Sequence, residues 1–185
     1  MDINEAIFSR RSIREYTTRT VDDETVHRLI EAAIQAPNAV NRQPWTFTVV
    51  RDQRMLDQVS RHAKTHMLAA AEGGDADQFR VQLTDRDFHI FYHAPVLILI
   101  SAIGPGPWIV EDCALAAQNL MLAAHGLGLG TCWIGFAQGY LNTADGKALL
   151  GLPDAAIPVA PIIVGHPGAV PFDVPRRVPD VRRIG

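Results

Sequence analysis

Residues Asp112 to Phe136 read DCALAAQNLMLAAHGLGLGTCWIGF, and the character of this stretch decides what kind of domain can surround it. From Ile109 to His125 the spacing is helical but apolar nearly all round, with Glu111 and Asp112 near the start and Gly126, Gly128 and Gly130 after the end. A helix of that kind has to be covered on every side, so the spacing predicts a central helix with a partner subunit supplying part of the cover. The run Gly126-Leu127-Gly128-Leu129-Gly130 has the wrong spacing for G-x-G-x-x-G and follows a helix rather than a strand, which excludes a Rossmann loop.

On either side of this helix lie the signals of a sheet. Trp45, Phe47 and Val49 alternate with Thr46, Thr48 and Val50 and stop at Arg51-Asp52. Val96 to Ile100 and Val159 to Val164 are short β-branched runs bounded by Pro and Gly, the pattern of strands buried on both faces. Nearer the N-terminus, Val26, Leu29, Ile30, Ala33 and Ile34 recur at i, i+3, i+4, i+7 and i+8. They follow Asp22, Asp23 and Glu24 at the positive end of the helix dipole and are stopped by Pro37. Ile3, Ala6 and Ile7 mark a shorter amphipathic helix before them.

The 185 residues, 48% hydrophobic and 20% charged, suit one ordinary globular domain that needs neither disulfides nor a structural metal. Cys113 and Cys132 sit in hydrophobic sequence without CxxC spacing and read as reduced core thiols of a cytoplasmic protein. The acidic start Met1-Asp2-Ile3-Asn4-Glu5 is not that of a signal peptide, and Cys113 to Leu129 is interrupted by Gln118, Asn119 and His125, so no membrane span is expected. A net charge of -3 offers no general attraction to nucleic acid. The polar stretch Asp75 to Arg86 reads as a mobile excursion. After a domain spanning residues 1–165, residues 166–185 carry Pro167, Pro171, Pro175 and Pro179 and read as an extended arm.

Several chemistries are excluded by missing residues. Gly146-Lys147 is followed by Ala148 rather than by Ser or Thr, which removes a P-loop, and no G-x-S-x-G elbow offers a serine nucleophile. His62/His66 and His89/His93 stand at i, i+4 but lack the Glu of H-E-x-x-H, so they read as surface or capping residues and no metal is expected.

Two segments remain. Ser9-Arg10-Arg11-Ser12-Ile13-Arg14 gathers guanidiniums and hydroxyls, the donors that match the oxygens of a phosphate monoester. Pro37-Asn38-Ala39-Val40-Asn41-Arg42-Gln43-Pro44-Trp45 places amide side chains, each both donor and acceptor, in a proline-bounded loop entering a strand. Each has a plain alternative, a solvated basic turn for the first and simple turn chemistry for the second.

RRSIREY at Arg10 to Tyr16, APNAVNRQPWTF at Ala36 to Phe47, the stretch quoted above and PIIVGHPG at Pro161 to Gly168 together resemble the nitroreductase family of FMN-dependent oxidoreductases. The blocks occur in family order and span nearly the whole chain. The resemblance implies an α+β fold, with a central mixed or antiparallel sheet flanked by helices. It also implies a domain-swapped homodimer that holds one FMN in each of two interfacial clefts.

By the same resemblance, Arg10, Arg11 and Ser12 hold the phosphate and ribityl chain, and Arg14 stands near the N1–C2=O edge of the flavin. Pro37, Asn38, Asn41 and Gln43 line the cofactor loop, partly from the other subunit, and Trp133, Ile134 and Gly135 pack beside the isoalloxazine. Arg177, with Arg176 beside it, returns from the arm to the phosphate. The implied activity is ping-pong transfer of electrons from NADPH or NADH to a flat small-molecule acceptor such as a nitroaromatic or quinone, under a lid expected within His62 to Phe91. Alternatives are a flavin-sequestering protein without turnover, or a specialised branch performing reductive dehalogenation or flavin cleavage.

Overall fold

Strand β2 (Val96–Ala102) is buried along its whole length, and its alternation explains how. Val96, Ile98, Ile100 and Ala102 point into one hydrophobic cluster, while Leu97 and Leu99 point into another on the opposite face. A computed structural model describes residues 1–70, 79–169 and 172–185. Among these, β1 (Trp45–Val50), β2, β3 (Gly130–Trp133) and β4 (Ile157–Gly165) form a four-stranded antiparallel sheet in the order β1-β2-β4-β3.

The helices divide between the two faces. α1 (Ile3–Ser9), α2 (Asp23–Ala33) and α5 (Ile109–Gly126) lie on one side, where Leu29, Ala33, Cys113, Ala117 and Leu120 meet the even-numbered residues of β2. α3 (Gln53–Ala70), α4 (Arg80–Thr84), α6 (Gly135–Leu141) and α7 (Ala144–Leu149) lie on the other, where Leu56, Val59, Ala63, Ala137 and Leu141 meet Leu97, Leu99 and Ile163. Each fully buried leucine contributes about 1.5–3 kcal/mol relative to an exposed one, so the doubly covered β2 is the energetic centre of the domain.

Local signals place the ends. Asp22 Oδ1 accepts the Thr25 N–H at 2.6 Å and starts α2. Gly128, at φ +74°, turns the chain after α5. β4 tolerates Pro158 and Pro161 because its pairing with β3 runs only from Ile162 to Gly165, leaving their missing N–H groups without a ladder position to fill.

Some expectations change. The polar excursion at Asp75 to Arg86 lies partly outside the described residues, and its later part is helical, as α4. The lid region His62 to Phe91 begins inside a regular helix, because α3 continues to Ala70. His89 and His93 do not share a helix face: they lie in a turn in which Tyr92 and His93 both have positive φ, +51° and +53°. Among the described residues no helix is long and apolar enough to cross a membrane.

Candidate active site

Ser12 pairs with Thr131 in an isolated parallel bridge, and the Ile13 N–H donates to the Thr131 carbonyl at 2.9 Å. These contacts lay the N-terminal segment along β3, the edge strand, and so bring the arginine cluster beside Cys132 to Gly135. Gly130 makes the approach possible, since Ile13 packs directly over its Cα.

Two adjoining chambers follow from this contact. The first, about 470 Å³, is lined by Arg10, Arg11, Ser12 and Arg14 together with Phe172, Val174 and Arg176 from the arm. Its electrostatics are those of an anion site. Burial, then the charges of Arg11 and Arg176, push the Arg10 pKa down. Arg11 donates to the carbonyls of Phe8 and Arg10 and pairs with Asp173, yet its buried Nε–H has no partner. Crowded guanidiniums with an orphaned donor are stabilised by a polyanionic oxygen ligand such as a phosphate.

The second chamber, about 430 Å³, shares Arg14 with the first. Cys132, Trp133, Ile134 and Gly135 line one side, and a Cβ on Gly135 would meet nothing within 4 Å, so the backbone there is open to a flat ligand. Phe79 and Gln82, beside and on α4, with Ile90, Tyr92 and Phe136, line the remainder. Phe136 meets Phe79 and Phe88 edge-on, with centroids 5.2 and 6.2 Å apart. Burial raises the pKa of both Cys132 and Tyr92, and Arg14 opposes the rise in each case.

Most of the expected residues converge here, and some do not. Arg10, Arg11, Ser12, Arg14, Trp133, Ile134, Gly135 and Arg176 line the paired chambers. Arg177, expected to lead the return to the phosphate, lines neither; the arm turns its neighbour Arg176 inward instead. Pro37, Asn38, Asn41 and Gln43 also lie outside both chambers. Asn38 Oδ1 accepts the Gln43 N–H at 2.8 Å, Gln43 Nε2 donates to Asn41 Oδ1 at 3.1 Å, and the Ala39 N–H is held by Asp112 Oδ1 at 3.0 Å. The loop is thus built and tied to α5, with Val40, Asn41 and Gln43 at positive φ, and it adds nothing to the lining of this chain's own two chambers.

Phe79, Gln82, Tyr92, Cys132 and Phe136 escaped the sequence reading. The aromatic density of Phe88-His89-Ile90-Phe91-Tyr92 was the available signal, and its wall position depends on a turn no periodicity announces.

Two further clusters compete for attention. A groove of about 520 Å³ between α3 and the α6–α7 pair contains His62, His66, Arg61 and Asp145. It lies apart from the arginine cluster, and His62 Nδ1 is already engaged by Tyr140 Oη at 3.2 Å. Asp57, His89 and His93 bring ligand-type atoms within 4.8 Å of one another. However, His89 Nδ1 accepts the Phe91 N–H at 3.2 Å, which leaves Nε2 to donate to Asp57 at 3.1 Å. Both ring nitrogens are therefore spent on the loop.

An α+β domain with an arginine-lined chamber beside an aromatic one, the two sharing Arg14 at the edge of an antiparallel sheet, suits a planar ligand that carries a phosphate. The nitroreductase family profile matches residues 7–166, and the chain belongs to that family of oxidoreductases. A provisionally named NADH dehydrogenase/NAD(P)H nitroreductase of Methanothermobacter thermautotrophicus is 34% identical, the alignment covering 92% of this chain and 80% of that protein. An FMN-dependent nitroreductase structure from Clostridium difficile superposes with a TM-score of 0.80 at 29% identity, covering 98% of each chain. The fold alone is shared with an FMN-bound nitroreductase structure from Bacteroides fragilis, at a TM-score of 0.86 and 24% identity over 100% of both chains.

Proposed function

We propose that this chain is an FMN-dependent oxidoreductase that takes electrons from NADPH or NADH and passes them to a flat, electron-poor small molecule, a nitroaromatic or quinone. The observation carrying this reading is that the arginine chamber and the aromatic chamber share Arg14 as a lining residue. Arg10, Arg11, Ser12 and Arg176 would hold the phosphate, and Trp133, Ile134 and Gly135 would bed the ring system. Bound FMN supplies hydride and electron transfer, chemistry that no side chain provides.

The residues of the chain bind, orient and exclude. Arg14, at the junction, is assigned the ring edge where negative charge accumulates on reduction, a preorganised electrostatic role. Phe79, Phe136 and Tyr92 form an apolar wall that admits planar molecules and keeps water from the reacting face.

The working unit is a homodimer. Phe8 on α1, Trp108, Val110 and Leu115 at α5, and Phe172, Val178 and Ile184 on the arm are large apolar side chains left exposed by a single copy. A second copy covering α5 would also deliver the Pro37–Gln43 loop to the partner's chambers. In this assembly residues 1–165 form the cofactor-binding domain and residues 166–185 the arm that embraces the partner. Cys113 and Cys132 are buried and unpaired, which fits a reducing cytoplasm.

The test is the visible spectrum of the purified protein under anaerobic titration with NADPH and then NADH. Bleaching of a bound flavin, with recovery on adding a quinone or nitroarene, is the expected result. A flavin that binds without being reduced overturns the oxidoreductase reading in favour of sequestration, and no binding on reconstitution with FMN overturns the site.

A further inference from the structure

Val40, Asn41 and Gln43 stand at φ +48°, +55° and +50°, so most of this short loop is left-handed, including a β-branched valine that avoids such backbone. The crest is open: Val40 is 79% exposed, and Asn41, Arg42 and Gln43 are exposed with it. A cavity of about 120 Å³ lies between Val40 and Trp108, Ile109 and Asp112, so packing does not impose the conformation. Strain of this kind persists only where other contacts over-determine it.

Those contacts are hydrogen bonds. Inside the loop, Asn38 Oδ1 accepts the Gln43 N–H at 2.8 Å. From the segment after β2, the Pro105 carbonyl accepts Arg42 Nη1 and the Ile103 N–H donates to the Pro44 carbonyl, each at 2.7 Å. The remaining tie comes from α5, where Asp112 Oδ1 accepts the Ala39 N–H at 3.0 Å. Asp112 is 4% exposed, and a carboxylate is costly to bury unless it is hydrogen-bonded. Its place near the start of α5 offsets part of that cost through the helix dipole, and the Ala39 N–H supplies the partner.

We propose that Asp112 is a positioning residue for cofactor binding in the opposite subunit: its carboxylate fixes the Ala39 N–H and thereby the crest from Val40 to Gln43. The proposal rests on the reading that this loop reaches the partner's chambers in a dimer closed over α5. In that dimer α5 is both the surface the partner covers, with Val110 and Leu115 exposed on it, and the anchor of the loop the partner receives. A loop that leaves its left-handed form is competent for only part of the time, and apparent affinity falls by that fraction.

The experiment titrates FMN-free protein with FMN, reading flavin fluorescence for affinity and light scattering for mass, in wild type, D112A, D112N, A39P and Q43A. A39P cuts the same bond from the donor side. Asn38, at φ −149° and ψ 153°, already has the extended backbone that a following proline demands. D112A and A39P are each expected to weaken FMN binding roughly ten- to thirtyfold, and the two together no further than either alone. D112N keeps an oxygen acceptor for the Ala39 N–H and should recover most of the affinity, a rescue that a role through charge would not give.

A mixed dimer of one D112A and one R10A subunit should hold one FMN tightly, because the chamber with intact arginines takes its loop from the subunit with intact Asp112. Absence of a tight site in that dimer overturns the role across the interface. Wild-type affinity in D112A and A39P while Q43A is weakened overturns the positioning role and leaves the loop's contact with FMN standing. Wild-type affinity in all three, or a wild type that is monomeric, overturns the placing of the loop in the partner's chambers, and the proposal with it.

Discussion

Gly130 lies so close beneath Ile13 that a methyl group on it would fall 2.7 Å from Ile13 Cγ1. The contact is what seats the arginine segment on β3, so the glycine links fold to site. Gly130→Ala forces Ile13 and the adjoining Ser12–Thr131 bridge outward. Overpacking of this kind costs about 1–3 kcal/mol. We expect a lowered midpoint in urea and a weaker FMN complex, both measurable on the same preparation. Unchanged values would mean that the N-terminal segment is not held as described.

Arg10 carries a different burden, since it contributes charge rather than packing. Burial first, and then the like charges of Arg11 and Arg176, depress its pKa, and a bound phosphate would relieve the repulsion. A hydrogen bond to a charged group is worth about 1.5–3 kcal/mol, so Arg10→Ala should weaken FMN binding roughly ten- to a hundredfold. The thermal midpoint of the FMN-free protein should rise or hold, because one repelling charge is gone. Fluorescence titration gives the first quantity and a melt the second; wild-type affinity in the variant would remove Arg10 from the phosphate site.

Acid should loosen the turn that carries Tyr92. Burial, then the neighbouring charge of His93, holds the His89 pKa below its ordinary value, against the pull of Asp57. The unfolded chain titrates near 6.5, so below that pH the unfolded state binds the proton that the folded one refuses, and stability falls as pH falls. His125, also depressed by burial and by Arg10, adds to the same slope. Urea midpoints taken from pH 7.5 to 5 should decline for wild type and decline less steeply for His89→Gln. Equal slopes would show that His89 is not the group responsible.

What the sequence disclosed is what periodicity and adjacency encode. The helix from Ile109, the strands at Trp45 and Val96, and the arginines at Arg10 to Arg14 are all patterns within a few residues of each other, and each stands where its pattern puts it. Tyr92, Cys132 and Phe136 reach the same chamber from separate elements, and Tyr92 comes there on a turn held at Ser60 and Lys64, roughly thirty positions upstream. Nor does spacing say which of Arg176 and Arg177 faces inward. An extended arm alternates its side chains, and the choice depends on where Phe172 and Val174 settle. The amide loop at Asn38 to Gln43 is legible as a loop, while its absence from the chambers of its own chain emerges only from the tertiary contact that ties it to α5.

That absence from the chambers gives the dimer its sharpest test. Leu115 lies on α5 with 46% of its surface exposed, on the same helix as Asp112, whose carboxylate holds the amide loop. Within one copy it packs little, so Leu115→Glu should leave the monomer's fold intact. In a dimer closed over α5 the same change buries two uncompensated carboxylates, which cost several kcal/mol each. Light scattering should therefore report a monomer for the variant and a dimer for wild type, with circular dichroism unchanged. Because the loop from the partner would leave with it, FMN affinity should fall as well, even though Leu115 lines neither chamber. A dimeric variant that retains its flavin would place the interface on some other surface and return the amide loop to a purely structural role.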